Sequence, residues 1–186
     1  MSSQNWVKKA WSQLAGPEST RVENWINGLW IILTAVAFLI SLGIREIQWS
    51  WVQLLIVILI FVDITGGVSV NASNSAKAWW HRPSQTKKDH IYFVLIHIQP
   101  FILALLFTEI TWIQATVAYL FLLLASLIIL SVPLFIQRLV AFIFYTLSLA
   151  LIQYYLNTPP GLEWFYPLFY LKLFLAHLVK ESIPEK

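Results

Sequence analysis

Cysteine is absent and methionine occurs once in these 186 residues. That excludes disulfide frameworks, thiolate metal sites and cysteine nucleophiles, and argues against a thioether copper site. Charge is scarce too: 11% of the residues are charged and the formal net charge is +3, against about 25% charged residues in soluble domains. So small a basic excess leaves no footprint for nucleic acid. Apolar residues fill the gap, at 59% of the chain, where soluble domains average roughly 45–50%. This balance excludes an ordinary cytosolic fold and a disordered tail, and it points to a membrane protein.

A helix crossing a hydrocarbon core of roughly 30 Å needs about 20 mostly apolar residues. The sequence predicts an all-α, polytopic transmembrane helix bundle with six spans, at about 25–43, 51–70, 90–107, 112–131, 139–156 and 164–179. The sixth is shorter than the others and contains Lys172. Four spans open on a Ser or Thr followed three residues later by an acid or amide: Thr20 and Glu23, Ser50 and Gln53, Thr86 and Asp89, Thr111 and Gln114. Such capping boxes satisfy the free N–H groups of a helix start, which hydrocarbon cannot do.

The chain before the first span has no apolar core or small-residue cleavage site of a signal peptide. Instead Val7, Ala10, Trp11 and Leu14 share one helix face, with Lys8, Lys9, Ser12 and Gln13 elsewhere. We expect a short amphipathic helix in the headgroup layer, ended by Gly16-Pro17. The organisation is then an interfacial segment over 1–19, a membrane domain over 20–182 and a tail over 183–186.

Basic residues set the expected direction. With the N-terminus in the cytoplasm, the inner segments hold Lys8, Lys9, Arg21, Lys77, Arg82, Lys87, Lys88, Arg138, Lys180 and Lys186, ten of the 12 Lys and Arg. The outer loops hold only Arg45, beside Glu46, Glu109 and Glu163. This asymmetry predicts cytoplasmic termini and a plasma (inner) membrane location. Tryptophan placement agrees, with Trp49, Trp51, Trp112 and Trp164 at the outer boundary and Trp25, Trp79 and Trp80 at the inner one, where amphipathic rings concentrate.

Ionisable groups inside a bilayer are costly and need a partner or a role. Asp63 and Lys172 are the firmly charged residues within the predicted spans, with His97 and His177 as titratable company. Counting about 1.5 Å per residue puts Asp63 and His97 both roughly 10 Å above the inner boundary. His177 lies about one turn from that surface, and Lys172 reaches towards it from near the midplane. Four polar groups from three helices therefore converge on the cytoplasmic half. His90 shares a face of its helix with His97, and Pro100 frees the carbonyl of Ile96 nearby. If the second span continues as a helix, Asp63, Gly67, Asn71, Asn74 and His81 form one stripe lining a polar cleft.

Three functions fit such a cluster. One is binding or processing of a small amphipathic or lipid molecule at the inner leaflet, with Lys172, His177, Asn71 and Asn74 around its head and basic loops drawing anionic lipid. A second is an intramembrane active site. There His97 and Asp63 act as base and acid, or His97, His177 and Asp63 hold a divalent zinc or iron ion in a metal-dependent hydrolase. The third is structural: Asp63 pairs with Lys172 to fix helix register, in an accessory subunit that packs against a membrane-protein partner or a second copy. Haem held between His97 and His177 is a minor variant.

Overall fold

The computed structural model describes residues 3–181, all of them helix or connecting loop. Lys186, the tail over 183–186 and the side chain of Val7 lie outside the described residues. The expected short N-terminal helix is present as α1 (Ser3–Ala15). Four long apolar helices follow the prediction closely: α2 (Arg21–Ile44), α3 (Trp51–Ala72), α7 (Trp112–Ser131) and α8 (Leu134–Tyr154). The last starts earlier than expected, because Pro133 sits at its N-cap with an extended backbone and lets the helix begin at once. The capping pairs form where the sequence places them. Thr20 with Glu23, Ser50 with Gln53 and Thr111 with Gln114 close reciprocal boxes, and the Asp89 carboxylate accepts from the Thr86 N–H and hydroxyl.

Three segments depart from the expectation. The third span is broken into α5 (Lys87–Leu95) and α6 (Gln99–Leu106), with His97 between them. Taken together, Lys87–Leu106 makes a fifth helix long and apolar enough to cross a membrane. The second span does not continue past Ala72. Ser73 is extended and caps a new short helix, α4 (Asn74–Trp80), whose Ala76 N–H donates to the Ser73 hydroxyl. This ends the predicted stripe at Asn71, and Asn74 stands exposed at the start of α4.

The sixth segment, Phe165–Leu178, is shorter than a spanning helix. It begins as α9 (Phe165–Tyr170) and widens into a π-helix over Leu171–Leu178. Apolar over most of its surface, with Lys172 and His177 as its basic residues, it lies in the interior, and α3, α7 and α8 pack around it. Phe165, Tyr166, Phe169, Tyr170, Leu173 and Phe174 are fully buried there. The Tyr170 hydroxyl donates to the Ala118 carbonyl. The segment read as the weakest span is the centre of the bundle.

A wider helix leaves more carbonyls unpaired at its C-terminus, and α4 supplies their donors. Lys77, buried on α4, donates from Nζ to the Leu175 and Val179 carbonyls at 3.3 and 2.5 Å. One turn on, the His81 Nε2–H donates to the His177 carbonyl at 2.9 Å. Lys77 therefore does more than mark the inner side. It holds the end of the π-helix, at the position where a cation complements the helix dipole.

α4 also anchors α1. The indole N–H groups of Trp79 and Trp80 donate to the Gln13 and Leu14 carbonyls, which the end of α1 leaves free. Gly16 turns the chain with φ +85°, and a β-carbon there would stand 2.6 Å from the Ser75 carbonyl oxygen. Ser75 in turn donates its N–H and hydroxyl to Glu23 of α2 at 3.1 and 2.7 Å.

At the opposite end, Arg45 and Glu163 make a bidentate pair at 3.0 and 2.6 Å. Trp49 and Trp164 join Phe38, Phe61 and Phe107 in an aromatic cluster. Trp25 and Trp51 instead expose more than three quarters of their surface, as rings of a membrane belt do.

Burial, reinforced by the neighbouring His90 imidazole, pushes His81 down to about 4. The folded protein thus holds His81 neutral at pH values where the unfolded chain, titrating near 6.5, already binds a proton. Its contribution to stability is fully present above pH 6.5 and is lost as the pH falls through about 4. Thermal unfolding in detergent followed by circular dichroism is expected to show a falling midpoint across that window. His81→Gln keeps a donor for the His177 carbonyl and removes the titration, so it should make the fall shallower. An unchanged slope in that variant assigns the effect to another group.

Candidate functional site

The polar residues of α3 and the π-helix meet the broken helix around one cavity of about 400 Å³. Asp63, Gly66, Gly67 and Asn71 of α3 form one wall, and Phe93, Ile96, His97 and Gln99 of the α5–α6 break form another. Lys172 enters from the π-helix, Ile31 from α2, and Trp11 and Leu14 of α1 cover the remaining side.

The break follows from Pro100, which has no N–H to donate and crowds the preceding turn. Three carbonyls near it take substitute partners. The His97 N–H turns to Val94, leaving Phe93 free, and the His97 Nδ1–H donates to the Phe93 carbonyl at 2.6 Å. The Tyr119 hydroxyl of α7 donates to Leu95 at 2.7 Å. The Ile96 carbonyl, expected to stay free, accepts from the Ile98 N–H at 2.9 Å. With its proton on Nδ1, His97 keeps Nε2 as an acceptor, and that atom meets no partner among the described residues.

Lys172 and Asp63 pair at 2.8 Å, with side-chain exposures of 3% and 49%. Gln99 donates from Nε2 to the same carboxylate oxygen at 3.2 Å. Gly67 makes the approach possible, since a β-carbon there would overlap Lys172 Cε. Two further polar atoms of the cavity residues are buried with no partner among the described residues: Asn71 Nδ2 and Gln99 Oε1.

Four of the residues singled out in the sequence therefore meet: Asp63, Asn71, His97 and Lys172. His177 and Asn74 do not join them. Asn74 is turned away by the Ser73 cap. His177 is buried in a second cluster, where its Nε2 lies 3.2 Å from His90 Nδ1 and His90 stacks on His81 with centroids 4.6 Å apart. The Phe93 ring separates the two groups, 3.9 Å from the His177 ring and 4.7 Å from that of His97. His97, His177 and Asp63 thus do not converge on one ion. Among the described residues no three His, Asp or Glu side chains have the arrangement of a metal site.

Gln99 and Trp11 escaped the sequence reading. An amide beside a proline within an apolar run was the available signal for Gln99. For Trp11 nothing local distinguishes a ring that covers a cavity from one lying in headgroups.

Removing the half-open Asp63 carboxylate strands the enclosed Lys172 charge. Asp63→Asn is expected to lower stability by about 3 kcal/mol, because the Lys172 ammonium stays buried without its counter-charge. Adding Lys172→Met should recover most of that loss, a coupling read from a double-mutant cycle of detergent-solubilised unfolding. Additive effects would show that the two side chains do not act as a pair.

No protein-family model, curated protein or solved structure matches this chain, so the function is argued from the chemistry of the cavity.

Proposed function

We propose that this protein binds a small amphipathic or lipid molecule, taking its polar head into the cavity beneath α1 while its apolar chain leaves past Ile31 and Ile96. The observation that carries this reading is the pair of unpartnered buried atoms, Asn71 Nδ2 and Gln99 Oε1, in the walls of a 400 Å³ cavity. A buried polar group without a hydrogen bond costs roughly 1–3 kcal/mol, and at membrane depth bulk water is not at hand to supply one. A polar head seated there fills both deficits. The cavity volume falls in the range of small-molecule sites, about 300–1,000 Å³.

The surroundings support an amphipathic ligand over a fully polar one. Ile31, Val62, Val70, Phe93 and Ile96 share the lining with the polar residues. Ile96 is 69% exposed and the Asp63 side chain 49%, so the cavity opens sideways at their level. In five helices with the length and hydropathy to cross a bilayer, a sideways mouth faces acyl chains. The basic residues of the α1 end favour a cytoplasmic side by the positive-inside rule, and on this reading the bound head sits in the inner leaflet of the plasma membrane.

Protein purified from its own membrane and examined by native mass spectrometry is expected to carry one lipid-sized adduct near stoichiometry. Lys172→Met and Asn71→Leu should each reduce its occupancy several-fold, whereas Glu163→Gln, at the far end of the bundle, should leave it unchanged. Protein without an adduct, or equal retention by all variants, overturns the proposal.

A further inference from the structure

We infer that the cavity selects a neutral, hydroxyl-bearing headgroup, of the glycerol or sugar type, over an anionic phosphate or a cationic amine. This rests on the binding proposed above and names the class of head the site takes. The hydrogen-bonding capacity that remains after the protein has satisfied itself sets this selectivity.

On the accepting side, Lys172 and Gln99 both use Asp63 Oδ2, and Oδ1 accepts no hydrogen bond among the described residues. Gln99 Oε1 is buried with no partner among the described residues, and His97 Nε2 meets none of them once Nδ1 serves Phe93. On the donating side, the Lys172 ammonium has three protons and gives one to Asp63. Asn71 Nδ2 carries two more protons and has no partner among the described residues. Donors and acceptors are thus both left over on residues lining one volume, and the formal charges among the described lining residues, Asp63 and Lys172, neutralise each other at 2.8 Å.

Each ligand class meets this wall differently. A phosphate only accepts: it would set anionic oxygens against Asp63 Oδ1, Gln99 Oε1 and His97 Nε2 and leave those three without donors. An ammonium only donates, and would face Lys172 while stranding Asn71 Nδ2. A hydroxyl donates and accepts at the same atom, so adjacent hydroxyls serve both halves of the wall without importing charge. Charged heads also lose far more on leaving water, a cost repaid only by a paired counter-charge. Here the counter-charges are already taken.

The test uses three probes with the same oleyl chain: 1-monooleoylglycerol, 1-oleoyl lysophosphatidate and oleylamine. Each is titrated onto the full-length protein in phosphatidylcholine nanodiscs, with affinity read by native mass spectrometry and by the shift in thermal midpoint. Monooleoylglycerol is expected to bind at least tenfold more tightly than either charged probe. Gln99→Leu and Asn71→Leu should each weaken it several-fold and narrow the preference. Lysophosphatidate or oleylamine binding as tightly as the glycerol probe overturns the headgroup assignment and leaves the binding site standing. Binding of none of the three, or equal binding that neither substitution alters, overturns the binding reading and the assignment with it. The ranking in the unmodified protein decides the matter should a variant fail to fold.

Discussion

The pairing of Asp63 with Lys172 is the constraint around which this bundle is organised. A lone charge at membrane depth costs about 2.5–3.5 kcal/mol on insertion scales, so neither residue is tolerable without the other. Their contact dictates local sequence on both helices. Glycine at 67 of α3 leaves the path of the Lys172 stem open, and α6 contributes the Gln99 amide as a further donor to the carboxylate. The burial is unequal, with Lys172 enclosed and Asp63 half open. The enclosed ammonium holds the carboxylate, and the carboxylate lies in the cavity wall.

Backbone satisfaction explains where the histidines go. Two helices are irregular near this pair, one through Pro100 and one through its π turn, and each irregularity frees carbonyls that hydrocarbon cannot solvate. His97 closes one gap on Phe93, and His81 closes another on His177 itself. Imidazole suits this task because one nitrogen can donate while the other stays available. The structural duty of His97 therefore leaves Nε2 free for the cavity. The chemistry of the site is in part what remains after the helices have been repaired.

The long helices and their caps were legible because they depend on local pattern: an apolar run of sufficient length, and a donor-acceptor pair three residues apart. The meeting of Asp63, Asn71, His97 and Lys172 was legible for a related reason, since depth in a membrane follows from counting along each helix. Azimuth does not. His177 was expected on the same side as Lys172 and His97, yet residues five apart on an α-helix point about 140° apart, and the change to a π turn sets their relation anew. Asn74 was lost to a single capping serine. Lys77 was read as a topogenic charge, because charge counting is blind to α4 folding back under the bundle. The shortest apolar segment became the core, which length alone could not foretell.

The short α4 joins these features into one assembly. On one side Trp79 and Trp80 hold the carbonyls at the end of α1, the helix whose Trp11 and Leu14 cover the cavity. On the other, Lys77 and His81 hold the end of the π-helix, which carries Lys172. Its first turn is bound by Glu23 at the start of α2. Cover, charged wall and first spanning helix therefore share a support of eight residues, α4 and its C-cap His81, and none of the three can shift without breaking hydrogen bonds to it. Phe93 completes the division of labour. Its ring lies between His97 and His177, so the histidine cluster that stabilises this support stays apart from the cavity it supports. The titration of His81 acts on the stability of the scaffold, while the cavity presents a wall whose charges already cancel.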